Sequence, residues 1–126
     1  MMEVTLPWPP SGLSPNSRLH WRRKSAIARQ YRDACFVLAR NAGLTSVPWE
    51  GPIVLELDFV PPDRRSRDDD NLIAAFKSGR DGLARALGID DKRFQSRPVI
   101  RRDEVGGMVK VRLCPVVYGG NEWNAD

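Results

Sequence analysis

Two short acidic segments carry the residues of this chain that are best suited to chemistry. Three consecutive aspartates occupy residues 68–70, and a further pair, residues 90–91, follows about one helix length later. Carboxylates gathered this closely repel one another unless a hard cation neutralises them, and oxygen atoms are the ligands that Mg²⁺ and Mn²⁺ prefer. The pattern therefore predicts a divalent metal site.

Three arginines directly precede the first acidic segment, namely Arg64, Arg65 and Arg67. Basic side chains beside metal-binding carboxylates favour a site that binds a polyanion, because they contact the phosphate oxygens that the metal also attracts. We expect these arginines to position backbone phosphates and to contribute salt-sensitive affinity. The chemistry indicated is metal-assisted hydrolysis of a phosphodiester bond.

The spacing of the acids suggests how they meet. Asp68 and Asp70 are two residues apart, so in extended backbone they share a side while Asp69 points away, and Asp70 is a candidate cap for the following helix. Asp90 and Asp91 follow that helix and its return loop, so one of them could approach the first pair. The competing interpretation is that Asp70 is only a helix cap and that residues 90–91 form only a polar turn.

Lys77 is a further candidate because it lies seven residues after Asp70 on the same helical face and its side chain leans toward the helix start. There it would stabilise charge that develops on a phosphate; the alternative is a solvent-exposed lysine. The sequence lacks the ligand pattern of a calcium hand and the glycine-rich loop of a phosphate-binding motif. The single histidine, His20, is interpreted as a surface or substrate-contact residue.

Hydrophobic periodicity predicts the elements before the first acidic segment. A short strand is predicted over residues 3–6, followed by a turn-rich loop, and a helix over residues 22–41 that ends near Gly43. The alternation over residues 52–60 predicts a strand with one face in the core. The core face of that strand comprises Ile53, Leu55, Leu57 and Phe59.

The elements after the acidic segment are predicted in the same way. A second helix should begin near Asp70 or Asn71 and run to about Ala86 or Leu87. Residues 94–103 and 108–117, divided by two glycines, resemble the strands of a hairpin. The order strand, helix, strand, helix, strand, strand predicts a small α+β domain over residues 1–118, a mixed sheet with helices packed on it, and a flexible tail over residues 119–126. The second helix is expected to bury Leu72, Phe76, Leu83 and Leu87.

Length and charge agree with a small nucleic-acid enzyme. The 126 residues suit a single domain, and 20 Lys+Arg against 16 Asp+Glu give a formal net charge of +4. A basic body around an acidic pocket is expected of a metal-dependent enzyme that acts on nucleic acid, although a basic protein without such a partner has the same composition. Cys35 and Cys114 lack zinc or disulfide spacing and should be reduced. The first ten residues show no leader and no window reaches membrane-spanning length, so we expect a cytoplasmic protein without membrane contact.

Several segments in a fixed order resemble the RusA family of phage and prophage Holliday-junction resolvases. The resemblance implies a RusA-like fold and a small homodimeric endonuclease that uses Mg²⁺ to cut branched DNA symmetrically across a four-way junction. By position, the catalytic and metal-binding carboxylates would be Asp68, Asp70 and Asp91. The matching segments are residues 6–11 (Leu-Pro-Trp-Pro-Pro-Ser), 31–33 (Tyr-Arg-Asp), 62–65 (Pro-Asp-Arg-Arg), 67–72 (Arg-Asp-Asp-Asp-Asn-Leu), 90–91 (Asp-Asp) and Gln95.

One departure from the family concerns the lysine that falls four residues after the aspartate matching Asp70. Ala74 occupies that place here, and Lys77, one turn later, is a candidate substitute. Two alternatives to junction resolution stay open at this stage. One is a non-catalytic basic DNA-binding protein whose acids serve only as caps, and the other is a nuclease for other branched DNA such as flaps or replication forks.

Overall fold

The computed structural model describes residues 2–65 and 67–116, and these form one mixed sheet with helices on it. The sheet order is β1-β4-β2-β3, which confirms the predicted α+β class. The predicted tail over residues 119–126 lies outside the described residues, as do the predicted end of the last strand at residue 117 and that of the domain at residue 118. The elements are β1 (Met2–Pro7), α1 (Trp21–Asn41), β2 (Ile53–Val60), α2 (Asp69–Ala75), α3 (Lys77–Leu87), β3 (Phe94–Ile100) and β4 (Met108–Pro115), with short 3-10 helices at Ser11–Leu13 and Asp91–Arg93.

The core lies between one face of the sheet and the helices. Phe76 is central to it, because its ring meets Phe59 edge-on at 5.7 Å and Tyr31 at 6.4 Å between ring centroids. Such edge-to-face pairs add to the stabilisation that burial of the rings provides. The predicted buried positions of β2 and of the second helix are confirmed: Ile53, Leu55, Leu57, Phe59, Leu72, Phe76, Leu83 and Leu87.

The prediction that one face of β2 lies in the core is confirmed, and the opposite face is covered as well. Val54, Asp58 and Val60, on the other face, are also buried. The Asp58 carboxylate accepts a hydrogen bond from Arg101 at 3.4 Å and lies 3.6 Å from Arg112. Since β2 has strands on both sides, long cationic side chains from its neighbours cover a face that no helix covers.

The prediction that the last two strands form a hairpin is wrong, because β2 lies between them. β3 pairs with β2 in parallel, and β4 pairs with both β1 and β2 in antiparallel fashion. The connection between β3 and β4 wraps around the end of β2, where Arg101 N donates to Phe59 O at 2.9 Å and Gly107 N donates to Val60 O at 3.1 Å. Adjacency in sequence and two glycines suggested a hairpin, whereas the parallel pairing with β2 is non-local.

The predicted second helix begins at Asp69, near the predicted start, but it is interrupted at Phe76. The backbone at Phe76 has φ −82° and ψ −5°, so α2 and α3 meet at a bend. The ring of Phe76 still enters the core, as the helical spacing predicts, and α3 lies close against α1. At Gly82 of α3 a Cβ would stand 2.4 Å from the Arg32 carbonyl oxygen, so only glycine allows this approach.

The proline-rich loop after β1 is anchored to α1. The hydroxyl of Tyr31 donates to the carbonyl of Pro7, and Trp8 packs edge-on against Phe59 with 6.0 Å between ring centroids. Burial raises the pKa of Tyr31 above its usual range, so the hydroxyl keeps its proton and remains a donor. The loop therefore has a fixed position relative to the helix.

Candidate active site

The first acidic segment caps α2. Asp68 is extended and is the N-cap, with its Oδ1 accepting from the backbone N of Asp70 at 2.9 Å and of Asn71 at 3.4 Å. The cap is thus Asp68 and not Asp70, and Asp70 lies in the first helical turn instead of sharing extended backbone with Asp68. All three aspartates of residues 68–70 are exposed. Their charge is stabilised by the positive end of the helix.

The second acidic segment is held by an arginine that the sequence did not single out. Nη1 of Arg80 donates to Oδ2 of Asp91 at 3.0 Å, and Nη2 of the same guanidinium donates to the Phe94 carbonyl at 2.8 Å. Asp90 caps the short helix that follows, by accepting from Lys92 N at 2.8 Å. Arg80 therefore fixes Asp91 beside the start of β3. The pairing across eleven residues leaves no local signal in the sequence.

The two acidic segments lie at opposite ends of the sheet within one chain. Residues 68–70 follow the last residue of β2, whereas Asp91 precedes Phe94, which pairs with Ile53 at the first residue of β2. β2 has 8 residues, and a strand of that length spans roughly 20 to 25 Å. Within residues 2–65 and 67–116, no group of three or more His, Cys, Asp or Glu side chains is close enough to hold a metal ion. The chain alone does not bring Asp91 to Asp68 and Asp70.

The donor chemistry of the acids nevertheless suits a hard divalent cation. The cap bonds engage Oδ1 of Asp68, and the structure describes no hydrogen bond or ion pair to its Oδ2. Asp70 adds an exposed carboxylate one turn into the same helix. Carboxylate oxygens with water completing the shell are a normal Mg²⁺ environment. The residues at the start of α2 therefore fit such an ion in kind, although they supply only part of a three-carboxylate set.

Lys77 is the first residue of α3 and directly follows the interruption at Phe76. Its Nζ lies 3.5 Å from Asp81 Oδ1, and the side chain is 68% exposed. At such exposure an ion pair contributes little to stability. Lys77 is consequently free to change partners at small cost.

The arginine loop before α2 is organised by Asp63. The Asp63 carboxylate accepts from Arg65 Nε at 3.2 Å and from Arg67 Nη2 at 2.8 Å. Hydrogen bonds from the Arg65 backbone and from the side chains of Arg67 and Arg65 lower the pKa of Asp63 to about 2. The carboxylate is therefore ionised at every pH at which the protein would work.

The three predicted phosphate-binding arginines differ in their surroundings. Arg67 is only 15% exposed, donates to two backbone carbonyls of the loop, and lies over the ring of Trp8 at 5.5 Å. It shapes the loop, because its guanidinium is already engaged. Arg64 and Arg65 are exposed and present their charge to solvent.

A second pair of arginines, which the sequence analysis missed, faces this loop. Arg101 and Arg102, in the connection between β3 and β4, line a cleft of about 250 Å³ together with Arg64 and Arg65. Arg101 is engaged by Asp103 at 2.9 Å, whereas Arg102 is exposed. The signal in the sequence was the dipeptide itself, but only the crossing of the two loops brings it to the arginines of residues 64–67.

A smaller cleft of about 210 Å³ lies between the start of α2 and the proline-rich loop. Asp68 and Asn71 form one wall, and Trp8, Ser11 and Ser14 contribute to the other. Of the helices in the described ranges, none combines the length and apolar character needed to cross a membrane. Both cysteines are free, as expected.

Comparison with known proteins gives relatives over almost the whole chain. It is 52% identical over 120 residues to an uncharacterized protein of Xylella fastidiosa, which covers 92% of this chain and 78% of that protein. It is 31% identical over 126 residues to the crossover junction endodeoxyribonuclease RusA of Escherichia coli K12, covering 94% of this chain and 96% of that enzyme. The enzyme of the same name from Enterobacteria phage 82 is 29% identical over 126 residues, with the same coverage. No family model matches the chain.

Proposed function

Because the chain belongs to the RusA family, we propose that it is a Mg²⁺-dependent endodeoxyribonuclease that resolves four-way DNA junctions by paired, symmetric hydrolysis of phosphodiester bonds. The observation that carries this proposal is the similarity to crossover junction endodeoxyribonucleases along 94% of the chain. The exposed carboxylates at the start of α2, close to an arginine loop, support it. Such an enzyme would act in DNA recombination and repair, in the bacterial cytoplasm, from a phage or prophage gene.

Asp68, Asp70 and Asp91 are the residues that we propose hold the metal, with Mn²⁺ as a possible substitute. When bound, the ion would lower the pKa of a coordinated water and neutralise charge at the leaving oxygen. The cap bonds of Asp68 orient its carboxylate before any ligand arrives, because two backbone donors fix Oδ1. Arg64 and Arg65 would hold the backbone phosphates, and Arg67 would keep their loop in shape.

A homodimer would complete the site. Since Asp91 lies at the other end of the sheet from Asp68 and Asp70, we propose that the third carboxylate comes from the partner protomer. A two-fold axis between protomers that run in opposite directions would place the start of one α2 beside the Asp91 of its partner, and it would do so twice. Two equivalent sites match the two equivalent strands that a four-way junction presents for cutting.

Lys77 is proposed to stabilise charge on the phosphate in place of the lysine that Ala74 replaces. Its support is its exposure and its weak pairing with Asp81. A Lys77→Ala variant should cut more slowly while it binds junctions as tightly as wild type, since the lysine would act in the transition state. Lys92→Ala, which removes a lysine assigned no role here, is the matched control. Full cleavage by Lys77→Ala would remove Lys77 from the mechanism.

The proposed activity is tested by incubating a synthetic four-way junction with wild type and with Asp70→Asn, each with Mg²⁺, with Mn²⁺ and with a chelator. We expect discrete symmetric nicks from wild type with either metal, none with the chelator, and none from Asp70→Asn. Junction binding by Asp70→Asn should be retained or strengthened, because a negative charge near phosphate is lost. Asp33→Asn, an exposed aspartate of α1, controls for the loss of a carboxylate elsewhere.

Two results would replace the proposal. A wild-type protein that shifts the mobility of the junction but never cuts it with either metal would be a DNA-binding protein. Faster cutting of flaps or replication forks than of four-way junctions would indicate a nuclease for other branched DNA.

A further inference from the structure

The start of α1 carries an exposed tryptophan among unpaired cations. Trp21 is the first residue of the helix and is 65% exposed. Arg18, Arg22 and Arg23 beside it are exposed and make no ion pair within the part of the chain that the structure describes. We call Trp21 and these three arginines the Trp21 platform. An exposed aromatic ring flanked by cations has the composition of surfaces on which nucleic-acid bases stack.

The segment of sequence that contains the Trp21 platform carries charge of one sign. No aspartate or glutamate occurs between Val4 and Arg32, and the first turn of α1 contains no acidic residue. Acidic side chains are normally favoured at this end of a helix because the helix dipole is positive there, so cations in the first turn weaken the helix. The same arrangement concentrates positive potential at one place, where it attracts a polyanion.

Trp21 is held in position by its two neighbours. The ring of His20 lies 5.6 Å from that of Trp21 between centroids, tilted by 31°, and the guanidinium of Arg22 lies 5.3 Å from the Trp21 centroid. His20 is the N-cap of α1, and its Nδ1 accepts from Arg22 N at 3.2 Å. The imidazole is thereby tied to the helix start. A preordered aromatic surface of this kind loses little conformational entropy when another ring stacks on it.

Arg23 of the Trp21 platform borders a groove that extends toward the candidate active site. An open groove of about 640 Å³ runs along the first half of α1, lined by Arg23, Ile27 and Gln30 on the helix and by Pro10 and Ser11 on the loop. Pro10 and Ser11 also line the smaller cleft that contains Asp68. The loop between the two depressions is the one anchored by the hydrogen bond between Tyr31 and Pro7.

From this arrangement we propose that the Trp21 platform binds DNA next to the branch point, with Trp21 stacked on a base that has lost its neighbour in the stack. Arg22 and Arg23 hold the flanking phosphates, and the strand passes over Pro10 and Ser11 to Asp68. Base-on-aromatic stacking tolerates any base, because every base presents a flat face, so the contact selects branched structure and not sequence. The inference rests on the proposed junction substrate, and it adds a determinant of preference for branched over linear DNA.

The test measures binding without divalent metal, so it does not depend on cleavage. Affinities for a labelled four-way junction and for a linear duplex of the same arm sequence are compared by fluorescence anisotropy. We expect Trp21→Ala to weaken junction binding about ten-fold and duplex binding less than about two-fold, and Trp21→Phe to retain most of the affinity. Val99→Ala, which trims another exposed apolar side chain that is 53% exposed, is the control and should change neither affinity.

The salt dependence separates stacking from phosphate contact. Arg22→Ala and Arg23→Ala should each reduce the slope of the logarithm of affinity against the logarithm of salt concentration by about one, whereas Trp21→Ala should leave that slope unchanged. Equal losses on junction and duplex for Trp21→Ala, or no loss on either, would overturn the inference. So would a change in the oligomeric state of Trp21→Ala in sedimentation, which would assign Trp21 to a contact between protein chains. A wild-type protein that never cuts with Mg²⁺ but shows these binding differences would refute the nuclease proposal alone.

Discussion

Mixing two inactive variants tests whether each active site is shared between protomers. Asp70→Asn removes a carboxylate from the start of α2, and Asp91→Asn removes one from the opposite end of the sheet. Each homodimer should be unable to cut, because every site lacks one carboxylate. In a heterodimer of the two, one composite site carries both substitutions and the other carries neither.

The expected recovery follows from this geometry. Free exchange between equal amounts of the two variants puts about half of the chains into heterodimers, and each heterodimer keeps one of two sites, so about a quarter of the wild-type nicking rate should return. The products should be junctions nicked in one strand, because the second site of the same dimer is dead. Denaturing and native gels of one labelled junction measure nicking and resolution separately.

A second mixture serves as the matched control. Asp68→Asn and Asp70→Asn affect the same end of the chain, so their heterodimer has no intact composite site and should recover no nicking. Absence of nicking in the Asp70→Asn and Asp91→Asn mixture, with exchange of protomers verified by a tag, would refute the shared site. Cleavage by the wild type would then need an explanation other than carboxylates contributed by two protomers.

Three further expectations concern residues outside the proposed shared site. Gly82→Ala should lower the free energy of unfolding by about 1–3 kcal/mol in urea denaturation, because its Cβ would stand 2.4 Å from the Arg32 carbonyl oxygen; unchanged stability would mean that α1 and α3 are less tightly packed. Native protein should expose one fast-reacting thiol to a disulfide reagent, that of Cys114, because burial raises the pKa of the Cys35 thiol to about 11 and shields it; modification of both at one rate would contradict this. The Asp63 carboxyl carbon should titrate by NMR near pH 2. Since the pKa of Asp63 is lower in the folded protein, this carboxylate stabilises the fold fully above the unfolded pKa of about 3.9, and the stabilisation is lost as the pH falls through about 2. Titration near 4 would show that the ion pairs with Arg65 and Arg67 are absent in solution.

The parts of the fold that were predicted from the sequence are those set by local periodicity. The residues 22–41 helix, the core face of β2 and the burial of Phe76 follow from spacings of 3.6 and 2, which are visible within a short window. The hairpin prediction failed because β4 pairs with β2, which lies some fifty residues earlier in the chain, and not with β3. The bend at Phe76 was also invisible, since a change of ψ at one residue leaves the apolar pattern of the helix intact.

The same distinction applies to the candidate site. Asp68, Asp70 and the arginines of residues 64–67 are neighbours in sequence, so their common location could be predicted. The placement of Asp91 could not, because it depends on β3 running parallel to β2, which sends the chain back to the far end of the sheet. Arg80 and Arg102 were missed because each meets its site through folding and not through a local sequence pattern: Arg80 contacts Asp91 after the chain turns back from α3, and Arg102 reaches Arg64 and Arg65 from a loop nearly forty residues later.

The hydrogen bond between Tyr31 and Pro7 helps to set the distance between Trp21 and the carboxylates at the start of α2. It joins α1 to the loop that borders Asp68, and its donor keeps its proton throughout the physiological range. The distance from Trp21 to Asp68 and Asp70 therefore stays the same. If a junction strand lies along this path, each cut will fall a set number of nucleotides from the point where the arms diverge, whatever the bases between.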